Sequence, residues 1–480
     1  MTIWLDVTTI AGWSRPAVGI IRTEAECARH FLAQEGVEVR FCRFEKSERR
    51  YHELDRDFVA ATLARLDGSR HRPKAEAPAV APAPAEPIPM TKEQRLKAGL
   101  KGLINRLPAG AKSRAFHYAQ TRKEAFFAAM RAAREGREAM RHLLQKPQAA
   151  PIFIPAEPVG PTSGEPQPVP FGRGDVVVSL GLDWDQKDLP YLYEVKQRLD
   201  LKVVLFCYDI IPVRLPHLCV GDVASIFGRY FADLAWCADR VLCISDYSRR
   251  DLEAFLGEIG APVPQTAVVR LGSELPDAEA PVPSAELAPL LEQRYILFVS
   301  TIERRKNHET LYRAYTRLID RGMTDLPKLV FVGMPGWGVH DLMLDLKLDP
   351  RIQPYLRIFN NLSDEDLGVL YRHAYFTAFP SLFEGWGLPV AESLSYGKFC
   401  LASHSSSIPE VGGELLEYLD PWDVAAWAER LGYYFQHPEA VAERERRIQA
   451  NYRPTAWAET GRFVLDQAVG AAEAGRRVGV

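Results

Sequence analysis

The chain has 480 residues, 47% apolar and 25% charged, with a formal net charge of −3. That length suggests two or three domains with sizeable cores, and the near-neutral net charge, which hides a local asymmetry, does not suggest a nucleic-acid binder. Its seven cysteines form no Cys-x-x-Cys pair, which argues against a zinc site or a disulfide framework and for buried core thiols in a reducing cytoplasm.

The N-terminus, MTIWLDVTTIAGW, carries Asp6 early and no basic start, so it does not read as a secretory leader. No stretch approaches the roughly 18–20 apolar residues of a membrane span. Residues 1–8 read as a strand and 19–34 as an amphipathic helix. The pattern then breaks. Residues 74–90 are rich in Pro and Ala, a linker composition. Residues 91–146 are predicted to be helical and basic. They hold 14 Lys and Arg against 4 Glu, a local charge of about +10 that leaves about −13 for the rest. Leu96, Leu100, Leu103, Ile104 and Leu107 recur there at helical spacing. Two readings stand: a solvated helical arm, or a polybasic face for anionic membrane lipids or an acidic partner. A second Pro-rich stretch, 147–170, follows, and 74–170 reads as an insertion in the first domain.

Buried strands alternating with helices resume at Asp175–Leu180, Leu201–Tyr208 and Arg240–Ile244, with helices near 190–199 and 222–237. After the Pro-rich link 276–289 the alternation restarts. Strands are expected at Tyr295–Ser300, Leu329–Gly333, Leu356–Phe359, Tyr375–Phe379 and Phe399–Ala402. The fold class is therefore α/β, with two Rossmann-like doubly wound domains facing across a cleft. The first, expected on the acceptor side, spans 1–275 and contains the insertion; the second, on the nucleotide-sugar side, spans 276–455. Residues 456–480 form a C-terminal helix expected to pack back on the first domain.

The segment most informative about chemistry is Phe379–Glu414, FPSLFEGWGLPVAESLSYGKFCLASHSSSIPEVGGE. A strand ends near Phe379. A loop with Glu384, Gly385 and Gly387 leads into a helix started by Pro389 and stopped by Gly397. Glu384 thus lies on the loop and Glu392 about one turn into the helix. A glycine loop at a helix N-terminus offers free backbone N–H groups to phosphate, and ionised carboxylates accept hydrogen bonds from polyols. One extended ligand would satisfy both: a phosphate flanked by two polyols.

This segment resembles the retaining nucleotide-sugar glycosyltransferases of the GT-B class known as family 4, whose mark is Glu-x7-Glu. Val299–His308 (VSTIERRKNH), Val332–Leu342 (VGMPGWGVHDL), Asn361–Tyr371 (NLSDEDLGVLY) and Ser405–Gly413 (SSSIPEVGG) match in order and spacing. The N-terminal half gives weaker matches at WLDVTT, Gly19-Ile-Ile-Arg22, Tyr208-Asp-Ile-Ile-Pro212, CISDYSRRDL and VVRLGSEL. The combination is similar to the bacterial surface-polysaccharide branch, which includes mannosyltransferases, over most of 1–35 and 172–460.

The resemblance implies a glycosyltransferase that moves a sugar, with retention, from a GDP- or UDP-linked donor to a glycan or lipid-linked acceptor. It implies no metal and no cofactor besides that donor. Glu392 would hold the ribose hydroxyls and Glu384 would contact the transferred sugar. Arg305 and Lys306 would neutralise the diphosphate. Backbone N–H groups of Gly387 and Leu388, and of Gly19 and Ile20 across the cleft, would bind sugar or phosphate. Asp209 is the candidate for contacting donor sugar or acceptor. Two departures stand out: Ser300 and Thr301 where relatives carry a further Arg, and Tyr208 where they carry His. The expected setting is the cytoplasm, with peripheral contact at the inner membrane through 91–146.

Bland readings accompany these roles. Arg304-Arg305-Lys306 could be a solvated charge run and Asp209 a turn cap before Pro212. Trp337 and Trp386 suit packing as well as ligand contact, and Ser245 and Ser248 suit helix capping. His217, His308, His340 and His404 show no metal-ligand spacing. The competing functions are another GT-B enzyme, a nucleotide-sugar epimerase or glycogen-type synthase, and a non-catalytic scaffold.

Overall fold

The computed structural model describes residues 1–14, 17–70, 169–219, 221–274, 283–360 and 362–477. The Pro/Ala linker, the basic segment 91–146 and most of the second Pro-rich stretch lie outside the described residues. Two sheets carry the fold. The first has β1 (Ile3–Asp6), β2 (Val39–Glu45), β3 (Arg50–Leu54), β4 (Val176–Ser179), β5 (Lys202–Cys207), β6 (Arg240–Cys243) and β7 (Gln265–Val268), in the order β3-β2-β1-β4-β5-β6-β7. Every pairing is parallel except β2 with β3. The second has β8 (Tyr295–Val299), β9 (Lys328–Val332), β10 (Leu356–Phe359), β11 (Phe376–Phe379), β12 (Cys400–Ser403) and β13 (Glu417–Leu419), all parallel, in the order β10-β9-β8-β11-β12-β13. Strand order reverses between β1 and β4, and again between β8 and β11. In doubly wound sheets, ligands bind at the carboxyl ends of the strands beside such a reversal.

The apolar runs became the central strands. Every residue of β1, β4, β11 and β12 is buried, as both faces of a helix-covered parallel sheet require. All seven cysteines are free, and all but Cys219 are buried. Sequence patterning missed β2, β3 and the helix Arg56–Arg70. β2 alternates buried and exposed residues (VRFCRFE) and pairs with β3 through a turn at Arg49, a non-glycine residue with φ +50°. No Gly, Asn or Pro marks that turn. The three-residue β13 is too short to show a period. The long helix Trp457–Arg477 packs on the Ile20–Leu32 helix and on β4 and β5. Its Trp457 is buried against Gly272, where a Cβ would lie 2.4 Å from the indole.

Candidate functional site

The loop after β8 makes one turn, Arg304–Lys306, before the helix His308–Asp320. Asn307 sits between them with φ +60°, and its amide Nδ2 donates to the carbonyls of Pro380 (3.1 Å) and Pro421 (2.8 Å). These bonds tie the basic turn to the ends of β11 and β13. Arg305 Nη1 then donates to the Phe383 carbonyl at 2.7 Å and to Glu384 Oε2 at 2.8 Å. Lys306 Nζ donates to Glu384 Oε1 at 2.6 Å and lies 5.6 Å from the centre of the Phe379 ring. A solvated charge run would not look like this. One carboxylate, only 6% exposed, is gripped by two cations at the carboxyl ends of β8 and β11.

The electrostatics follow from burial and pairing. Burial alone would push the Glu384 carboxyl up, but Arg305 and Lys306 outweigh it and hold it at about 2. Lys306 is pushed down, first by burial and then by the neighbouring Arg305. Glu384 is held from behind as well. Its N–H donates to Ser406 Oγ at 2.7 Å, and the Ser407 hydroxyl donates to the carbonyls of Glu384 (2.8 Å) and Trp386 (3.0 Å). The serines of SSSIPEVGG therefore shape the glutamate loop.

The first sheet meets this loop through Asp209. A Cβ on Gly385 would lie 2.4 Å from the Tyr208 carbonyl and 3.3 Å from Asp209 Oδ2, so only glycine allows the approach. Asp209 Oδ1 accepts the Ile211 N–H at 3.1 Å, which makes it a turn residue as well as a wall of the centre. Burial raises its carboxyl and Arg305 opposes that. Ser248 Oγ lies 3.2 Å from both the Tyr208 and Gly385 carbonyls, and its N–H is accepted by Ser245 Oγ. Glu410 accepts the N–H groups of Asp246 and Tyr247, both at 2.7 Å. A carboxylate following β12 thus caps a helix of the first sheet, complementing its positive end.

Glu392 lies in a second group. It accepts the Tyr371 hydroxyl at 3.0 Å, and burial raises its carboxyl against the pull of Arg22. A cavity of about 80 Å3 is lined by Glu392, Leu388, Tyr371 and Asp364 on one side and by Gly19 and Arg22 on the other. Ile20 begins its helix beside Gly19 but does not line the cavity. Gly387 precedes the Leu388–Ser395 helix with φ +124°, a conformation that side chains disfavour. Among the described residues, nothing accepts the N–H groups of Gly387 and Leu388. Eight of the nine expected residues therefore fall into two groups, and Ile20 stands outside both. One is Arg305, Lys306, Glu384 and Asp209; the other is the Gly19 and Glu392 cavity with the glycine turn leading into it.

Sequence reasoning assigned no role to Arg22, Tyr371, Ser406, Ser407 or Glu410. All five stand in segments quoted for the resemblance, but a pattern does not say which partner a side chain meets. His308 is fully buried beside Phe298 and Phe331, and burial followed by Lys306 pushes its imidazole down to about 3. Among the described residues, no three His, Cys, Asp or Glu side chains gather as metal ligands. No described helix is long and apolar enough to cross a membrane.

Residues 284–453 match the family described as glycosyl transferases group 1. The serotype-specific mannosyltransferase WbdA of Escherichia coli is 27% identical over 322 residues, covering 63% of this chain and 38% of that protein. The O-antigen chain mannosyltransferase B of the same species is 29% identical over 248 residues, covering 50% of this chain and 64% of its own length. The chain thus spans less than two thirds of either relative. Among solved structures, sucrose-phosphate synthase from Thermosynechococcus elongatus superposes with a TM-score of 0.47 at 19% identity, covering 62% of this chain and 74% of that one.

Proposed function

We infer that this chain, whose residues 284–453 are a glycosyl transferases group 1 domain, is a retaining glycosyltransferase of polysaccharide synthesis. It takes a sugar, mannose in the reading its relatives' names favour, from a nucleoside-diphosphate donor to a glycan or lipid-linked acceptor. The observation that carries this reading is the pairing of Arg305 and Lys306 on the buried carboxylate of Glu384, with Asp209 facing it from the first sheet.

The chemistry suits that arrangement. In transfer, the bond between the anomeric carbon and the diphosphate oxygen breaks as the acceptor oxygen bonds to that carbon. The acceptor proton passes to the departing phosphate. Arg305 and Lys306 meet the negative charge as it develops, in a site already organised before the reaction. Glu384, ionised down to about pH 2, binds the sugar hydroxyls and offsets positive charge at the anomeric carbon. Glu392 and Tyr371 take the ribose in the cavity below Gly19, and the N–H groups of Gly387 and Leu388 face the donor. No step needs a metal. Contact of 91–146 with anionic lipid would bring a lipid-linked acceptor to the enzyme.

A thermal-shift screen against GDP, UDP, ADP and TDP tests this reading. A ligand at about 100 times its dissociation constant stabilises by about 2.7 kcal/mol. One nucleotide should raise the melting temperature of the native chain and raise that of Lys306→Ala by clearly less. An equal shift in the variant, or none with any nucleotide, would refute the site.

A further inference from the structure

Among the described residues lining the Glu392 cavity, Arg22 is the one cation, and it comes from the first domain. It stands in the first turn of the Ile20–Leu32 helix, which Gly19 opens. Its guanidinium is fixed from behind. Nη2 donates to the Glu274 carbonyl at 3.2 Å, and the planar group lies over the Trp457 ring, 5.3 Å from its centre. These two partners are joined to each other, because the Trp457 N–H donates to Glu274 Oε1 at 2.9 Å. The Ser395 hydroxyl, ending the helix that carries Glu392, donates to the adjacent Ser273 carbonyl at 3.1 Å. An arginine so held has little side-chain freedom left to lose when a ligand arrives.

The half-buried side chain still reaches the cavity. Nε is enclosed, but Nη1 is open and has no acceptor among the described residues. A stacked guanidinium with a free N–H edge suits phosphate, which accepts charge-assisted hydrogen bonds in that planar geometry. The opposite wall has the complementary need. Glu392 accepts from Tyr371 and has capacity for further hydroxyl donors. Burial raises its carboxyl and the charge of Arg22 opposes that, so the two groups sense each other across the cavity. At about 80 Å3 the cavity is well below the roughly 300–1,000 Å3 of a whole ligand pocket, so it takes one part of a nucleotide. A ribose and the phosphate attached to it answer both walls: hydroxyls on Glu392, a phosphate oxygen on Arg22.

We propose that Arg22 is a donor-binding residue lent by the first domain: its guanidinium takes the phosphate next to the ribose, while Arg305 and Lys306 take the phosphate bonded to the transferred sugar. This rests on the transferase reading above and adds a residue to it. The diphosphate is then held from both sheets, and the charge of its inner phosphate is met where Glu392 fixes the ribose.

The test is calorimetric titration of the full chain with the nucleoside diphosphate that shifts its melting temperature, GDP or UDP, and with the matching monophosphate, GMP or UMP. The monophosphate keeps the ribose and the phosphate assigned to Arg22 but lacks the one assigned to Lys306. Arg22→Gln should weaken both ligands by about tenfold or more, and Arg22→Lys, which keeps the charge, by less. Lys306→Ala should weaken the diphosphate much more than the monophosphate. Trp457→Leu removes the stack and not the charge, so it should lower the melting temperature and cost less affinity than Arg22→Gln. Wild-type affinity for either ligand in Arg22→Gln overturns the assignment. So does a loss in Trp457→Leu equal to that in Arg22→Gln, which would leave the arginine a structural brace. Either outcome leaves the transferase reading standing. If neither ligand binds wild type, the transferase reading fails and takes this inference with it.

Discussion

Glu384 is a buried carboxylate held between two cations, Arg305 and Lys306. Its carboxyl is held at about 2, well below its ordinary 4.5, because two buried cations outweigh the cost of its own burial. A carboxylate depressed in the folded state contributes stability that is complete above its unfolded value and is lost as pH falls through its folded one. Removing one partner of a buried pair costs about 3–5 kcal/mol, because the other charge is left uncompensated. Glu384→Gln should therefore melt well below wild type at pH 7. The gap should stay constant down to about 4.5 and close between there and about 2. A gap independent of pH would show that the side chain's shape, and not its charge, matters. None of this pairing was legible in the sequence. The Glu-x7-Glu spacing and the Arg-Lys pair stand 78 positions apart, Lys306 from Glu384, and only the parallel register of β8 beside β11 brings them together.

At the scale of elements, the apolar strands and their helices were readable because parallel sheets bury both faces and demand uninterrupted Val, Ile, Leu and Phe. The β2–β3 hairpin was not, since its edge position permits charged residues at exposed points and its turn uses Arg49 in place of Gly or Asn. Glu24 shows the same limit. On the Ile20–Leu32 helix it reads as an ordinary amphipathic position, yet it is fully buried and accepts the Ile10 N–H at 3.0 Å. Burial, opposed by Lys187, pushes its carboxyl up to about 8. A raised carboxyl favours the folded state only while protonated, so its contribution falls as pH rises from 4.5 to about 8 and is flat beyond. Glu24→Gln keeps the bond to Ile10 and removes the titration. Melting curves between pH 5 and 8.5 should decline in wild type and flatten in the variant; parallel curves would contradict this.

For the whole molecule, specific contacts join the two sheets, among them Gly385 under the Tyr208 carbonyl, Ser248 between two carbonyls, and Glu410 on a helix N-terminus. Gly385→Ala would force Cβ to within 2.4 Å of backbone oxygen, so the sheets must part there. Sugar release from the donor should then fall far more than nucleotide affinity, because the arginine and lysine stay on the second sheet while Asp209 moves away. Equal losses in both would place the effect in folding. The transferase chemistry requires that the Arg305–Lys306 pair receive a diphosphate. Calorimetric titration of GDP and UDP into wild type and Lys306→Ala decides it most directly. Wild type should bind one nucleotide saturably and the variant at least about tenfold more weakly, the worth of one charge-assisted hydrogen bond of about 1.5–3 kcal/mol. Identical isotherms for the two proteins would contradict it.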